Sequence, residues 1–203
     1  MLGTPKRDRV AERREAIRSE ILDAAWATAR ELGLSRLTLS EVAGRVGMRA
    51  PSLYTHFGSK NDLVDAMFEQ AWTQCVAAMR TKVDELPASP RARLHLVARS
   101  FFEFSAADLA RFQLMNQRVI PDFTPSASAY APSLECMEML VEVMAGIDVH
   151  DRADIDLYVA LVGGLIDSQF ANDPGGDRYE RLLTRAIEMY ADDVGLPREE
   201  KER

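Results

Sequence analysis

We predict an all-α fold for this 203-residue chain from three features of its sequence. Apolar residues recur at every third or fourth position, which is the repeat of an amphipathic helix. Runs of alternating β-branched residues, which would indicate strands, are few. Prolines and glycines interrupt the apolar repeats where helices would end. With 47% hydrophobic residues, a chain of this length can bury the core of one helical domain and a small appended one.

The order of the elements follows from these repeats and their interruptions. The first helix is expected over about 13–33, with Ile17, Ile21 and Leu32 on its apolar stripe and Gly33 suited to a C-cap. Two short helices follow within 38–60. Later helices are expected at about 60–85, 91–106, 108–117, 132–146, 152–171 and 177–193. The proline-rich stretch RVIPDFTPSASAYAP, residues 118–132, is predicted to be a loop.

The two short helices are predicted to form a helix-turn-helix. Thr38 followed by Glu41 is a capping box and places a helix start at Thr38. Gly47 suits a tight turn, and Pro51 suits the first turn of the next helix because the missing N–H has no partner there. Ala43 is small where the two helices would cross. The alternative is a plain αα-hairpin inside a bundle.

The outward-facing residues of this motif are mostly small or hydrogen-bonding types, as a helix in the major groove would present. Lys60 follows Ser59, a predicted N-cap, and so lies in the first turn of a helix. The helix dipole disfavours a cation at that position, so a lysine there makes sense if it meets a phosphate.

The charge of the chain is divided unevenly along its length. Residues 1–60 hold 11 Lys and Arg against 7 Asp and Glu, a balance of +4, and the remainder holds 14 against 25, a balance of −11. A basic N-terminal quarter on an acidic body is consistent with an appended nucleic-acid-binding head.

The segment LTLSEVAGRVGMRAPSLYTHFGSKNDLVDAMF resembles the DNA-binding segment of TetR-family transcriptional regulators. The resemblance in sequence covers about residues 13–70, and beyond that it is one of helix layout only. It implies phosphate contacts from Thr38, Tyr54, His56 and Lys60. It implies positions near base edges for Arg49, Ala50, Pro51, Ser52 and Thr55. Ala50 and Thr55 are smaller than the residues often found at their places, which shifts direct base readout toward Arg49 and Ser52.

The predicted domains are 1–60, a DNA-binding head that begins with a disordered basic arm, and 61–203, a helical regulatory and dimerisation domain. A single helix-turn-helix binds DNA weakly, so a homodimer on a palindromic double-stranded operator is expected. The helix at about 152–171 is apolar on more than one face, and Gly163 and Gly164 permit close helix approach. This helix and the one at about 177–193 are the predicted dimer interface. The alternative is that both complete the monomer core.

The middle helices are rich in aromatic residues and methionine, with polar residues between them, as in apolar small-molecule sites. The resemblance implies a cavity there, and core packing is the alternative for most of these residues. The candidate ligand-binding residues are Trp72, Phe101, Phe104, Phe112, Met115, Asn116, Tyr130, Met137 and Tyr158. We expect an apolar or amphipathic ligand of unknown identity to wedge these helices, tilt the 60–85 helix and release the operator.

The predicted function is therefore that of a homodimeric transcriptional regulator, most simply a ligand-released repressor. The alternative is an all-α small-molecule-binding protein or enzyme in which the helix-turn-helix is only a hairpin. We expect no enzyme, catalytic residue, cofactor or metal, since the sequence lacks HExxH, GxSxG, Walker and dinucleotide motifs. Cys75 and Cys136 are predicted to be separate, reduced core residues. The charged N-terminus and the lack of a run of ~20 apolar residues favour a cytoplasmic protein without a membrane partner.

Overall fold

The computed structural model describes residues 6–198, which form nine α-helices and no strand within that range. The helices are α1 (Lys6–Leu32), α2 (Leu39–Arg45), α3 (Ala50–Leu53), α4 (Lys60–Val83), α5 (Pro90–Ala106), α6 (Leu109–Asn116), α7 (Ala127–Ala145), α8 (Arg152–Asn172) and α9 (Glu180–Asp193), with a 3₁₀ turn at Leu34–Arg36 between α1 and α2. The all-α prediction is confirmed. In the part of the chain that is described, none of the helices is both long enough and apolar enough to cross a bilayer.

Two element boundaries differ from the sequence prediction. Helix α1 begins at Lys6, so the residues from there to 12, expected in a disordered arm, are helical, while the arm's residues 1–5 lie outside the described range. Helix α7 begins at Ala127, so the predicted loop was wrong for its last six residues. The physical reason is a cap: the Ser126 hydroxyl accepts the Ala129 N–H at 3.2 Å and donates to Asp65 of α4 at 2.6 Å. Pro132 is accommodated inside the helix that this cap starts.

The described residues divide into two compact units. The first comprises the residues up to Ala71 together with Ala110–Tyr130, and the second comprises Trp72–Leu109 and the residues from Ala131 on. Residue 60, the predicted domain boundary, is the first residue of α4. Helix α4 contributes to both units because it runs from Lys60 to Val83.

In the first unit, α1 packs on α2 and on the 3₁₀ turn, and α2 packs on α3. The contacts bury the apolar stripes that the sequence predicted, and the side chains that are no more than 1% exposed include Ile21, Leu37, Val42, Leu53 and Phe57. The Trp26 indole N–H donates to the Gln70 side-chain oxygen at 2.7 Å, which joins α1 to α4 by a polar contact. The head of the protein is therefore a packed trihelical unit rather than an isolated hairpin.

The turns of the helix-turn-helix form as the sequence predicts. The Thr38 hydroxyl accepts the Glu41 N–H at 3.2 Å and caps α2. Gly47 has φ +67°, a conformation that side-chain-bearing residues rarely adopt, and it lets the Met48 N–H return to the Ala43 carbonyl at 2.9 Å. Ala43 is 1% exposed, as its small size at a helix crossing requires.

In the second unit, α5, α8 and α9 pack on one another. Arg91 of α5 is only 6% exposed, and its guanidinium donates to groups of the C-terminal region, four of them within 3.0 Å. These are the Glu188 and Asp192 carboxylates at 2.8 and 2.6 Å and the Leu196 and Pro197 carbonyls at 2.6 and 2.9 Å. One buried cation thus fixes the end of α9 and the following residues against the start of α5.

Candidate nucleic-acid interface and regulatory residues

The predicted DNA-contacting residues lie on α3, the turn after it, and the adjoining helix ends of the first unit. Arg49 is the N-cap residue of α3, and Ala50, Pro51 and Ser52 form its first turn. Helix α3 ends at Leu53, so Tyr54, Thr55 and His56, which were expected on this helix, lie in the turn after it. The exposed candidates are Thr38, Arg49, Pro51, Ser52, Tyr54 and Thr55, and the half-buried ones are Ala50, His56 and Lys60.

Arginine 18 of α1 holds the C-terminal end of α3 in place, a role that the sequence patterns did not indicate. Its guanidinium donates to the His56 carbonyl and lies over the Phe57 ring, 4.2 Å from the centroid. Phe57 is 1% exposed, so the cation covers one side of a buried anchor. The contact spans 38 residues of sequence, and no local signal could have revealed it. Arg18 therefore positions the candidate surface without belonging to it.

The turn after α3 presents three candidate side chains in different ways. Tyr54 is 53% exposed. The Thr55 hydroxyl donates to the Ser52 carbonyl at 2.7 Å, so it is already engaged within the turn. The His56 ring is half-buried, and its Nδ1 is buried without a hydrogen-bond partner. Tyr54 is thus the most accessible of the three for a phosphate or base.

Lys60 occupies the helix position that the sequence predicted. The Ser59 hydroxyl accepts the Asp62 N–H at 3.1 Å, which confirms the cap, and Lys60 is the first residue of α4. On the same unit, Arg45 at the end of α2 forms an exposed ion pair with Glu31 of α1. Arg45 therefore already has a carboxylate partner within this unit.

The candidate ligand-binding residues fall in both units. Phe112 and Met115 are buried in the first unit, where Asn116 donates to the Phe112 carbonyl at 3.1 Å and Tyr130 stacks on Phe68 with ring centroids 6.2 Å apart. In the second unit, the candidates other than Tyr158 are half-buried, namely Trp72, Phe101, Phe104 and Met137.

Tyr158 has a packing role within the second unit. It is 3% exposed, its hydroxyl donates to the Leu94 carbonyl at 2.7 Å, and its ring centroid lies 5.3 Å from that of Tyr190. Burial raises the pKa of the Tyr158 hydroxyl far above its ordinary value. The hydroxyl is therefore a neutral hydrogen-bond donor that joins α8 to α5.

The two helices of the predicted dimer interface carry apolar side chains on their outer faces. On α8, Leu157 is 49% exposed, and on α9, Leu182 and Met189 are 43% and 63% exposed. Ala160 and Gly164 are exposed on α8 at positions that share a face with Leu157. A Cβ atom added at Gly164 would meet nothing within 4 Å, so this face is open to close approach.

Among residues 6–198, no group of three or more His, Cys, Asp or Glu side chains is arranged to hold a metal ion.

Comparison with known proteins agrees with this architecture. Residues 21–67 match the family model for bacterial regulatory proteins of the tetR family. The repressor KstR2 of Mycobacterium tuberculosis is 35% identical over 96 residues, which are 47% of this chain and 48% of KstR2. The activator FasR of Mycolicibacterium smegmatis is 26% identical over 163 residues, 76% of this chain and 71% of FasR. The first of these matches spans about half the length of the relative.

The whole fold also has counterparts among solved structures. The transcriptional regulator FadR of Bacillus subtilis, solved in complex with stearoyl-CoA, matches 85% of this chain and 96% of its own with a TM-score of 0.66 and 19% identity. At that identity the likeness concerns the fold. The matches over residues 21–67 and to KstR2 identify the helix-turn-helix segment of this chain as similar to that of the tetR family of bacterial regulatory proteins.

Proposed function

We propose that this protein is a homodimeric DNA-binding repressor that leaves a palindromic operator when a small apolar or amphipathic ligand binds. The observation that carries the proposal is the head itself: a capped α2, a Gly47 turn and a short α3 whose first turn and following residues are exposed. A recognition helix is presented to the major groove in this way. The head is residues 1–60 and the regulatory part is 61–203 in this proposal.

The contacts divide into two kinds. Arg49, Ala50, Pro51, Ser52 and Thr55 face base edges, with Arg49 and Ser52 carrying most of the readout because their side chains can hydrogen-bond to bases. Thr38, Tyr54, His56 and Lys60 hold phosphates. Phosphate contacts make the affinity for DNA fall as the salt concentration rises, since each contact releases a counterion from DNA.

The experiment is selection of a palindromic site from a random DNA library, followed by fluorescence anisotropy at several salt concentrations. Lys60→Ala lowers the affinity for all sequences and reduces the salt slope by about one per half-site. Lys82→Ala, an exposed lysine near the other end of α4, is the matched control and leaves the slope unchanged. A protein that selects no sequence even at low salt is a helical binding protein or enzyme whose hairpin is structural, and the proposal fails.

The second copy binds through α8 and α9. The exposed apolar residues Leu157, Leu182 and Met189 and the open Gly164 face support this, because exposed apolar surface of this kind marks an interaction site. Leu182→Glu places a charge in the interface and shifts the protein to monomer in sedimentation velocity. Leu134→Glu, which alters a 51% exposed leucine on α7, leaves the dimer intact. A Leu182→Glu protein that stays as dimeric as Leu134→Glu would exclude this face of α9 from the interface.

The effector contacts the half-buried set of the second unit, Trp72, Phe101, Phe104 and Met137. These side chains are large, apolar and partly accessible, as a ligand site requires. The FadR structure, which contains stearoyl-CoA, supports an amphipathic effector. Any effector that releases DNA must bind the released conformation more tightly than the DNA-bound one.

Titration of the operator complex with stearoyl-CoA and with free stearate tests the ligand class. Release by either supports the proposal, and Phe104→Ala weakens the response while ligand-free operator affinity stays the same. Repression is favoured because the match to the KstR2 repressor has the higher identity. A promoter–reporter fusion distinguishes repression from activation. Loss of the protein should raise expression of the reporter, and a fall in expression would make the protein an activator.

A further inference from the structure

The two cysteines of the chain meet in the second unit, although the sequence predicted separate core residues. Cys75 lies on α4 and Cys136 on α7, 61 positions apart, and their Sγ atoms are 3.9 Å apart. Both are thiols. The expectation that they stand alone was wrong, because helix periodicity records which face a residue occupies and not which helix that face meets.

We propose that Cys75 and Cys136 are a redox modification site, at which peroxide-class oxidants form an intramolecular disulfide between α4 and α7. Sulfur atoms in a disulfide lie about 2.05 Å apart, so the pair must close by roughly 1.9 Å. Side-chain rotation and small helix shifts supply movements of this size. Arg80 of α4 also forms an ion pair with Glu135 of α7, the residue before Cys136, so the two helices meet at a second contact.

The two thiols differ in access, which sets the order of the reaction. Cys75 is 0% exposed, whereas Cys136 is partly exposed and is the one an oxidant reaches first. The hydrogen bond from Cys75 lowers the pKa of the Cys136 thiol, which favours its thiolate. Cys136 is therefore the peroxidatic residue and Cys75 the resolving one.

The chemistry balances with hydrogen peroxide as the co-reactant. The Cys136 thiolate attacks one peroxide oxygen, the O–O bond breaks, and hydroxide leaves, giving a sulfenic acid. Cys75 then attacks the Cys136 sulfur, its proton goes to the departing oxygen, and water leaves as the S–S bond forms. In sum, two thiols and one peroxide give one disulfide and two waters. Transient disulfides of this type in reducing compartments are characteristic of redox sensing.

The cross-link has a consequence that rests on the proposed function. Helix α4 begins at Lys60, beside the recognition motif, and the disulfide fixes its later residues to α7. Effector-dependent release requires these helices to move relative to each other. The oxidised protein therefore keeps its operator affinity but responds less to the effector.

The test treats the full-length protein with hydrogen peroxide under native conditions, then alkylates remaining thiols and analyses the peptides by mass spectrometry. The expected result is joint loss of both thiols, a Cys75–Cys136 linked peptide about 2 Da lighter than its reduced halves, a monomeric band on a denaturing non-reducing gel, and reversal by dithiothreitol. Cys75→Ser should leave a Cys136 sulfenic acid that dimedone traps. In Cys136→Ser, Cys75 should react at least tenfold more slowly.

Several outcomes overturn the proposal. Independent oxidation of the two thiols, links formed only between chains, or no reaction under peroxide that fully oxidises glutathione would each exclude the site. None of these readouts needs DNA, so they stand even if the protein selects no operator. A linked protein that binds operator and responds to stearoyl-CoA as well as the reduced form does would exclude the regulatory consequence alone.

Discussion

The contact between Arg18 and the end of α3 predicts that a residue outside the proposed DNA-binding surface stabilises that surface. In Arg18→Met the hydrogen bond to the His56 carbonyl and the cation over the Phe57 ring are removed, while the apolar stem is largely kept. A hydrogen bond from a charged donor contributes about 1.5–3 kcal/mol, and a cation–π contact at a partly exposed site about 0.5–1 kcal/mol. Because Arg18 is half-buried, the lower end applies, and the expected loss is about 2 kcal/mol.

Hydrogen exchange measures this loss where it occurs. The amides of His56 and Phe57 donate to the Leu53 carbonyl at 2.9 and 3.0 Å, so they exchange only when the end of α3 opens. A loss of about 2 kcal/mol corresponds to exchange roughly 30-fold faster at these two amides, since each 1.4 kcal/mol is a factor of about ten. The matched control is Arg14→Met, which removes an exposed arginine one turn earlier on α1.

If exchange at His56 and Phe57 in Arg18→Met matches that of wild type or of Arg14→Met, the arginine does not hold the end of α3. Uniformly faster exchange in both compact units would mean that the substitution acts elsewhere.

Three further predictions concern stability. Arg91→Met removes a guanidinium that is only 6% exposed, although Asp192 keeps its contact with Arg198 and Glu188 keeps its contact with His95. The free energy of unfolding in urea should fall by about 2 kcal/mol, against about 0.5 kcal/mol for the exposed Arg99→Met. Hydrogen bonds from His95 and then from Arg91 hold the pKa of the Glu188 carboxyl below its ordinary 4.5. The stability that this carboxylate contributes is therefore present above that pH and is lost as the pH falls through the lowered pKa. Glu188→Gln should flatten the acid side of the thermal stability profile, and an unchanged slope would contradict this. Thr38→Ala removes the α2 cap and should cost about 1 kcal/mol in thermal unfolding, whereas Thr38→Ser keeps the hydroxyl and should cost little.

Local signals in the sequence determined most of the first unit. The capping box at Thr38, the turn at Gly47 and the proline at the start of α3 each act within a few residues, so the sequence is sufficient to place them. Burial of Leu53 and Phe57 followed from the apolar repeat for the same reason. The match of residues 21–67 to the tetR family model depends on the same local pattern.

Contacts between residues distant in sequence were decided only by the tertiary structure. Arg18 meets His56 across 38 positions, the Arg91 cluster spans about a hundred, and Asp65 starts α7 by binding Ser126 across 61. The two cysteines meet across the same separation, on helices that the sequence left unrelated. Helical periodicity shows which side of each helix is apolar but does not indicate which helices pack against each other. The packed fold supplies that information, because long-range charged and polar groups find partners only when the helices are assembled.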